Sequence, residues 1–368
     1  MNAKGRSRNL LCDPAFGASA GGPGAGGSSA DGSTARWRGS KTNYNSQENF
    51  MSFAGRRGMM AAGATAIILG SIAMTGAAHA QECDTVVFSD PQWTDITSTN
   101  ALTGVVLEAL GYEQKVETIS VPVTFEMLGA GEVDVFQGNW MPAQQKFVDA
   151  AEKKGGIENL GVNLKGAKFT LAVPEYVAAE GIKSFADLGK HGDEFDHKIY
   201  GIEPGAPANQ LIQKMIDSGD FGLEGWELVE SSEQAMLAQA KRLERGKDWI
   251  VFLAWAPHPM NNQFDLTYLE GGDEYFGPNY GGADVYTLVR GDFAKACPNV
   301  GKLLDNVSFT LDMENTMMGL IINDGMAPND AATKLLKEDP SVLDAWLEGV
   351  TTKDGGDGLA AVKEALGV

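Results

Sequence analysis

Val133-Asp134-Val135-Phe136 runs, one glutamine and one glycine later, into Asn139-Trp140-Met141-Pro142. A short apolar run of β-formers reads as a buried strand, and the polar, proline-closed stretch behind it reads as the turn at its end. The same grammar occurs twice more: Val86-Val87-Phe88 precedes Trp93-Thr94-Asp95, and Ile250-Val251-Phe252-Leu253 precedes Trp255-Ala256-Pro257. Three indoles therefore stand at or just past strand ends, where open α/β sheets bind ligands. A single tryptophan is most often core filling. Three in one context point to a shared pocket.

Working outward, residues 84–88 read as a first strand, 96–110 as a helix stopped by Gly111, 115–119 as a second strand, 124–128 as a short helix and 133–136 as a third strand. That succession argues for parallel crossovers and an α/β class. Further strands are expected at 169–173, 199–202, 226–229, 250–253 and 285–289, and helices at 182–188, 210–218 and 232–245. Between a strand and a helix lies Glu203-Pro204-Gly205-Ala206-Pro207-Ala208-Asn209, which reads either as an ordinary turn or as a source of backbone donors for a ligand. Residues 271–282 are turn-rich, and helices follow at 302–307, 311–323, 329–337 and 342–347. Residues 81–168 and 285–368 are expected to form lobe 1, with 169–284 inserted as lobe 2. The 288 residues from 81 onward suit two lobes better than one.

The 368 residues do not all belong to this body. Residues 1–50 are rich in Gly, Ser, Ala and Asn without aliphatic periodicity, the composition of a disordered or spurious extension. Gly22-Pro23-Gly24-Ala25-Gly26-Gly27 matches a dinucleotide-binding glycine pattern, but no strand precedes it and no helix follows. Residues 51–80 hold Arg56-Arg57, an uncharged apolar run over 61–74 and Ala78-His79-Ala80, the three parts of a secretory signal peptide. The run is too short to span a bilayer comfortably. The mature chain is then expected to begin at Gln81 and to be exported.

The whole chain has 29 Lys+Arg and 49 Asp+Glu; without residues 1–80, which hold 8 and 3, the counts are 21 and 46 and the net charge −25. Such a surface repels nucleic acid and anionic lipid. Of three cysteines, Cys12 precedes the signal, which leaves Cys83 and Cys297 to pair in an oxidising compartment. A thiol catalyst or metal ligand is the alternative, but neither cysteine has a nearby histidine or a metal-type spacing.

Catalytic patterns find no support. His79, His191, His197 and His258 show neither zinc spacing nor a partnered nucleophile, and His258 reads as structural. Asp354-Gly355-Gly356-Asp357-Gly358 lacks the ligand register of a calcium loop and reads as a turn before the final helix. The tryptophans suit a different chemistry. A quaternary ammonium has no N–H to donate, and its charge is spread over methyl groups that favour π faces, each worth about 0.5 to 2 kcal/mol. Asp95 would add a charge or accept a hydrogen bond; it also reads as a helix N-cap, and the two roles do not exclude each other.

Phe88-Ser89-Asp90 with Trp93-Thr94-Asp95-Ile96-Thr97, Gly138-Asn139-Trp140-Met141-Pro142, Gly201-Ile202-Glu203-Pro204-Gly205, Val229-Glu230-Ser231-Ser232-Glu233-Gln234, Trp255 with Pro257-His258-Pro259-Met260, and Thr352-Lys353-Asp354-Gly355-Gly356-Asp357-Gly358 closely resemble the choline-binding proteins of bacterial ABC importers, within the wider glycine betaine and proline betaine group. The resemblance covers residues 83–368. It implies a periplasmic binding protein fold of type II-like form, two α/β lobes joined by a hinge with the ligand in the cleft. It further implies an aromatic box of Trp93, Trp140, Phe169 and Trp255, with Asp95 on the choline hydroxyl. Two positions depart from the family pattern: Phe169 stands where those proteins carry tyrosine, and Ala206 where they carry asparagine. Asn209 or a backbone N–H is the candidate replacement for the latter. The expected partners are choline or a related quaternary ammonium ligand and an ABC permease in the inner membrane; the expected state is a monomer with no cofactor, no metal and no enzymatic activity. The alternatives are a binder of glycine betaine, carnitine or trimethylamine N-oxide, and, from another class, an exported choline-ester hydrolase.

Overall fold

Val86, Phe88, Val133, Val135 and Phe136 are fully buried, and they build the strands from which the sheet grows. The computed structural model describes residues 83–368. The expectations for residues 1–50, for the signal peptide at 51–80 and for the start at Gln81 lie outside the described residues.

Strand β1 (Thr85–Asp90) leads into helix α1 (Thr94–Ala109), β2 (Glu113–Thr118), α2 (Val121–Ala130) and β3 (Val135–Met141). β1 pairs in parallel with β2 and with β3, as the strand-helix alternation predicts. Helix α1 ends where Gly111 takes a φ of 93°, a left-handed conformation glycine adopts without penalty. After α3 (Gln145–Glu152) comes β4 (Ile157–Pro174), an 18-residue strand of which the sequence pattern announces only residues 169–173.

The remaining elements are β5 (Lys198–Tyr200), α4 (Pro207–Ser218), β6 (Glu227–Val229), α5 (Glu233–Gly246), β7 (Phe252–Ala256), β8 (Leu266–Tyr268) and β9 (Gly282–Arg290). Helices α6 (Pro298–Asn306), α7 (Leu311–Ile322), α8 (Pro328–Glu338) and α9 (Gly358–Leu366) close the chain. The turn-rich segment expected at 271–282 contains two one-turn helices, Asp273–Phe276 and Pro278–Gly281.

The strands lie in the order β2-β1-β3-β9-β4-β7-β5-β6, with β8 paired to β4 off that path. Parallel pairing holds at the two flanks, β2-β1-β3 and β7-β5-β6. The centre departs from the expectation of parallel crossovers: β3-β9, β9-β4 and β4-β7 are antiparallel. The fold is thus mixed α/β, and the reason is connectivity. The long strand β4 carries the chain from one flank to the other, and β9 returns it alongside, from Lys168 opposite Gly282 to Ile157 opposite Arg290. At the far end, Asp134 accepts from Val87 N at 2.8 Å and pairs with Arg290 Nε at 2.6 Å, tying β1, β3 and β9 together.

Helices α7, α8 and α9 pack over α1. Cys83 and Cys297 form the expected disulfide, joining a residue two positions before β1 to the N-terminus of α6. The segment at 352–358 is a turn, closed by Gly356 N on Thr352 Oγ1 at 2.7 Å, and Asp357 caps α9 through Ala360 N at 3.0 Å. Among the described residues no cluster of His, Cys, Asp or Glu could hold a metal ion, and no helix is long and apolar enough to cross a membrane.

Candidate functional site

Trp140 is the next-to-last residue of β3 and Trp255 the next-to-last of β7, so each indole leaves its strand at the end the sequence pattern assigns. Both are followed by a cis peptide, Met141-Pro142 and Ala256-Pro257. Trp93 stands three residues past β1, at the N-cap of α1 with extended backbone. Phe169 pairs with Trp255 across β4 and β7. Its ring meets Trp140 edge-on at 6.2 Å and is backed by Phe276 at 5.5 Å, from the one-turn helix at 273–276. Gly281, with φ 69°, lets the chain pass the Phe169 carbonyl: a Cβ there would lie 1.8 Å from that oxygen.

These side chains line one cavity, together with Asp95, Ala143, Gln144, Ile202, Pro207, Ala208 and Leu253. Its empty space, the solvent-open mouth included, is about 450 Å³. Of the residues singled out from the sequence, Trp93, Asp95, Trp140, Phe169 and Trp255 are brought together here. Ala206 and Asn209 are not on the lining. Helix α4 begins at Pro207, three residues before the expected 210, so Ala206 is its buried N-cap residue while Pro207 and Ala208 face the cavity. The Asn209 amide is engaged in the loop itself, accepting from Ile202 N at 3.1 Å and donating to Ile202 O, Glu203 O and Glu230 Oε1, each at 3.0 Å.

Asp95 is not the cap of α1; Trp93 holds that position, and Asp95 lies in the first turn. Its Oδ2 accepts from Trp140 Nε1 at 3.1 Å, and its Oδ1 is buried without a partner. Burial, reinforced by the nearby Glu233 carboxylate, pushes its carboxyl up to about 8. Gln144 is a lining residue that no motif announced. Its Nε2 donates to Gly138 O at 2.7 Å, which leaves Oε1 buried and unpaired.

Across the cavity, Trp93 Nε1 donates to Glu203 Oε2 at 2.9 Å, and burial raises that carboxyl to about 7. Glu233, at the N-terminus of α5, accepts from Thr94 N at 2.9 Å and from the Thr94 hydroxyl. His258 Nε2 lies 3.2 Å from the same Glu233 carboxyl, while its Nδ1 accepts from Met260 N at 2.9 Å. His258 is buried and supports Trp255 edge-on at 4.9 Å, in keeping with the structural role read for it.

Residues 84–338 match the family described as the substrate binding domain of ABC-type glycine betaine transport systems. A solved ABC-transporter choline-binding protein in complex with choline is 55% identical, the match covering 78% of this chain and 99% of that one, with a TM-score of 0.77. Lactococcal OpuAC, solved in a closed form with glycine betaine, is 28% identical over 72% of this chain and 99% of that one, with a TM-score of 0.65. The glycine betaine/carnitine transport binding protein GbuC of Listeria monocytogenes is 30% identical over 45% of this chain and 53% of that protein. With its mixed sheet and a cavity between the sheet's two flanks, the chain belongs to the family of substrate-binding domains of ABC-type glycine betaine transport systems.

Proposed function

We propose that this binding protein captures choline in the cavity between Trp93, Trp140, Phe169 and Trp255 and delivers it to an ABC permease of the inner membrane. The observation that carries the reading concerns the polar atoms of the lining. The indole N–H groups of Trp93 and Trp140 are engaged by protein acceptors, whereas the buried atoms left without partners, Asp95 Oδ1 and Gln144 Oε1, are both acceptors once a bound cation has displaced the Asp95 proton. Aromatic faces and free acceptors suit a ligand that is a cation and carries a hydroxyl donor. Choline is both. Glycine betaine and trimethylamine N-oxide bring an acceptor where the lining, with Asp95 ionised, already has two.

In this reading residues 81–168 and 285–368 form one lobe and 169–284 the other, with β4 and β9 as the strands about which they hinge. Ligand contacts made by both lobes stabilise the closed form, and expulsion of water strengthens the cation–π attraction. A substrate-binding protein of this family carries its ligand unchanged, so no catalytic group is required. The protein acts as a monomer in the periplasm, after removal of residues 51–80. Glycine betaine is the second reading, because a carboxyl held at about 8 keeps its proton at neutral pH and can donate it to a ligand carboxylate.

Isothermal titration with choline, glycine betaine, carnitine and trimethylamine N-oxide tests the assignment. Tight choline binding with weak betaine binding is expected. Preference for betaine or the N-oxide reassigns the ligand, and silence toward all four ends the reading.

A further inference from the structure

We infer that Glu233 is a positioning residue for the ligand site: it clasps the first turn of α1 to the N-terminus of α5 and thereby holds the two walls of the cavity together. The inference rests on the reading of the cavity as the choline site. Neither Thr94, Glu233 nor His258 lines the cavity, so their joint burial needs another explanation. Helix α1 follows β1 on one flank of the sheet, and α5 lies between β6 and β7 on the other.

The N-cap of α1 is Trp93, whose side chain makes no capping bond. Its first-turn donor, Thr94 N, is satisfied by Glu233 from the opposite flank, so α1 is capped in trans. The carboxylate is itself at the start of α5, and two helix N-termini converge on it. Among the described residues no Lys or Arg pairs with it. Its further donors are the Thr94 hydroxyl and His258 Nε2; because His258 Nδ1 accepts the Met260 N–H, the ring's proton lies on Nε2.

The neighbours of this clasp are the cavity walls. Trp93 and Asp95 flank Thr94 in the chain, and Trp255 rests on His258. When the flanks part, both bonds from Thr94 to Glu233 are lost together, and with them the cap of α1, and Trp93 and Asp95 separate from Trp255. The clasp therefore acts on how long a ligand is retained rather than on how fast it arrives.

The test places spin labels at Val123→Cys and Gln213→Cys, exposed positions on α2 and α4, and reads their distance without ligand, then follows choline kinetics by stopped-flow fluorescence. Glu233→Gln and Thr94→Val are expected to shift the distance distribution outward and to raise the choline dissociation rate about tenfold or more, the value of a hydrogen bond to a charged group. Association should change less than about threefold by the same reasoning. Thr94→Ser, which keeps the hydroxyl, should behave as wild type, and Thr94→Val supplies the answer if Glu233→Gln fails to fold. Unchanged distances and dissociation rates in folded Glu233→Gln and Thr94→Val proteins overturn the clasp. A distance response in a protein that ignores choline supports the clasp and overturns the choline reading alone.

Discussion

A carboxyl held near 8 by burial and by Glu233, with Asp90 and Glu314 close enough to be felt, meets a cation and a zwitterion on unequal terms. A quaternary ammonium favours ionised Asp95, so below pH 8 its binding expels a proton. Choline affinity should accordingly rise with pH and level off above about 8, at no more than about tenfold per pH unit. A carboxylate ligand that takes the Asp95 proton should show the reverse. Calorimetry in buffers of different ionisation enthalpy reads the proton directly, and Asp95→Asn should flatten the profile while weakening choline more than betaine. The rings make a separate prediction. Trp140→Ala removes a π face, the edge contact to Phe169 and the N–H on Asp95, and Trp255→Ala removes the face above His258. Each should cost about 30-fold or more in choline affinity, the worth of one desolvated cation–π contact; near wild-type binding in both would sink the aromatic box.

At the scale of elements, the loop from Gly201 to Asn209 depends on one side chain. Asn209→Ala strands the buried Ile202 N–H and frees three acceptors, and should destabilise the fold by about 1–3 kcal/mol in urea titration while moving affinity less. Nothing in the sequence marked Asn209 for that role, because its four bonds go to Ile202, Glu203 and Glu230, the last a glutamate on the loop after β6. The strands were readable where burial is continuous. The Phe169–Val173 stretch is fully buried, whereas residues 157–168 of the same strand alternate irregularly across register shifts and carry no period to recognise. The tryptophan stretches were legible because a large aromatic at the end of an apolar run, where a polar or proline-containing turn takes over, is conspicuous. Gln144, Ala143 and Ala208 were not, since small or amphipathic side chains announce nothing until the elements meet. Glu233 was visible as part of a motif, but its bond to Thr94 spans 139 residues.

For the molecule as a whole, burial raises the carboxyls of Asp90, Asp95, Glu203 and Glu314 above their ordinary range. The native state then binds more protons than the unfolded chain, whose carboxyls titrate near 4, so stability falls as pH climbs from there through the folded values of about 7 for Glu203 and about 8 for Asp95. Urea unfolding of the ligand-free protein should show a higher midpoint at pH 5 than at pH 8, and choline should narrow the gap by favouring the ionised Asp95. A flat profile would mean that these groups find partners in solution. The bond between Cys83 and Cys297 has a consequence of another kind. It makes residues 83–297 a closed covalent ring, with the C-terminal helices as a tail. A protease that nicks any loop inside the ring opens a circle without releasing a fragment. Limited digestion should therefore leave a single band on a gel run without reductant and two with it, and the nicked protein should retain both walls of its cavity.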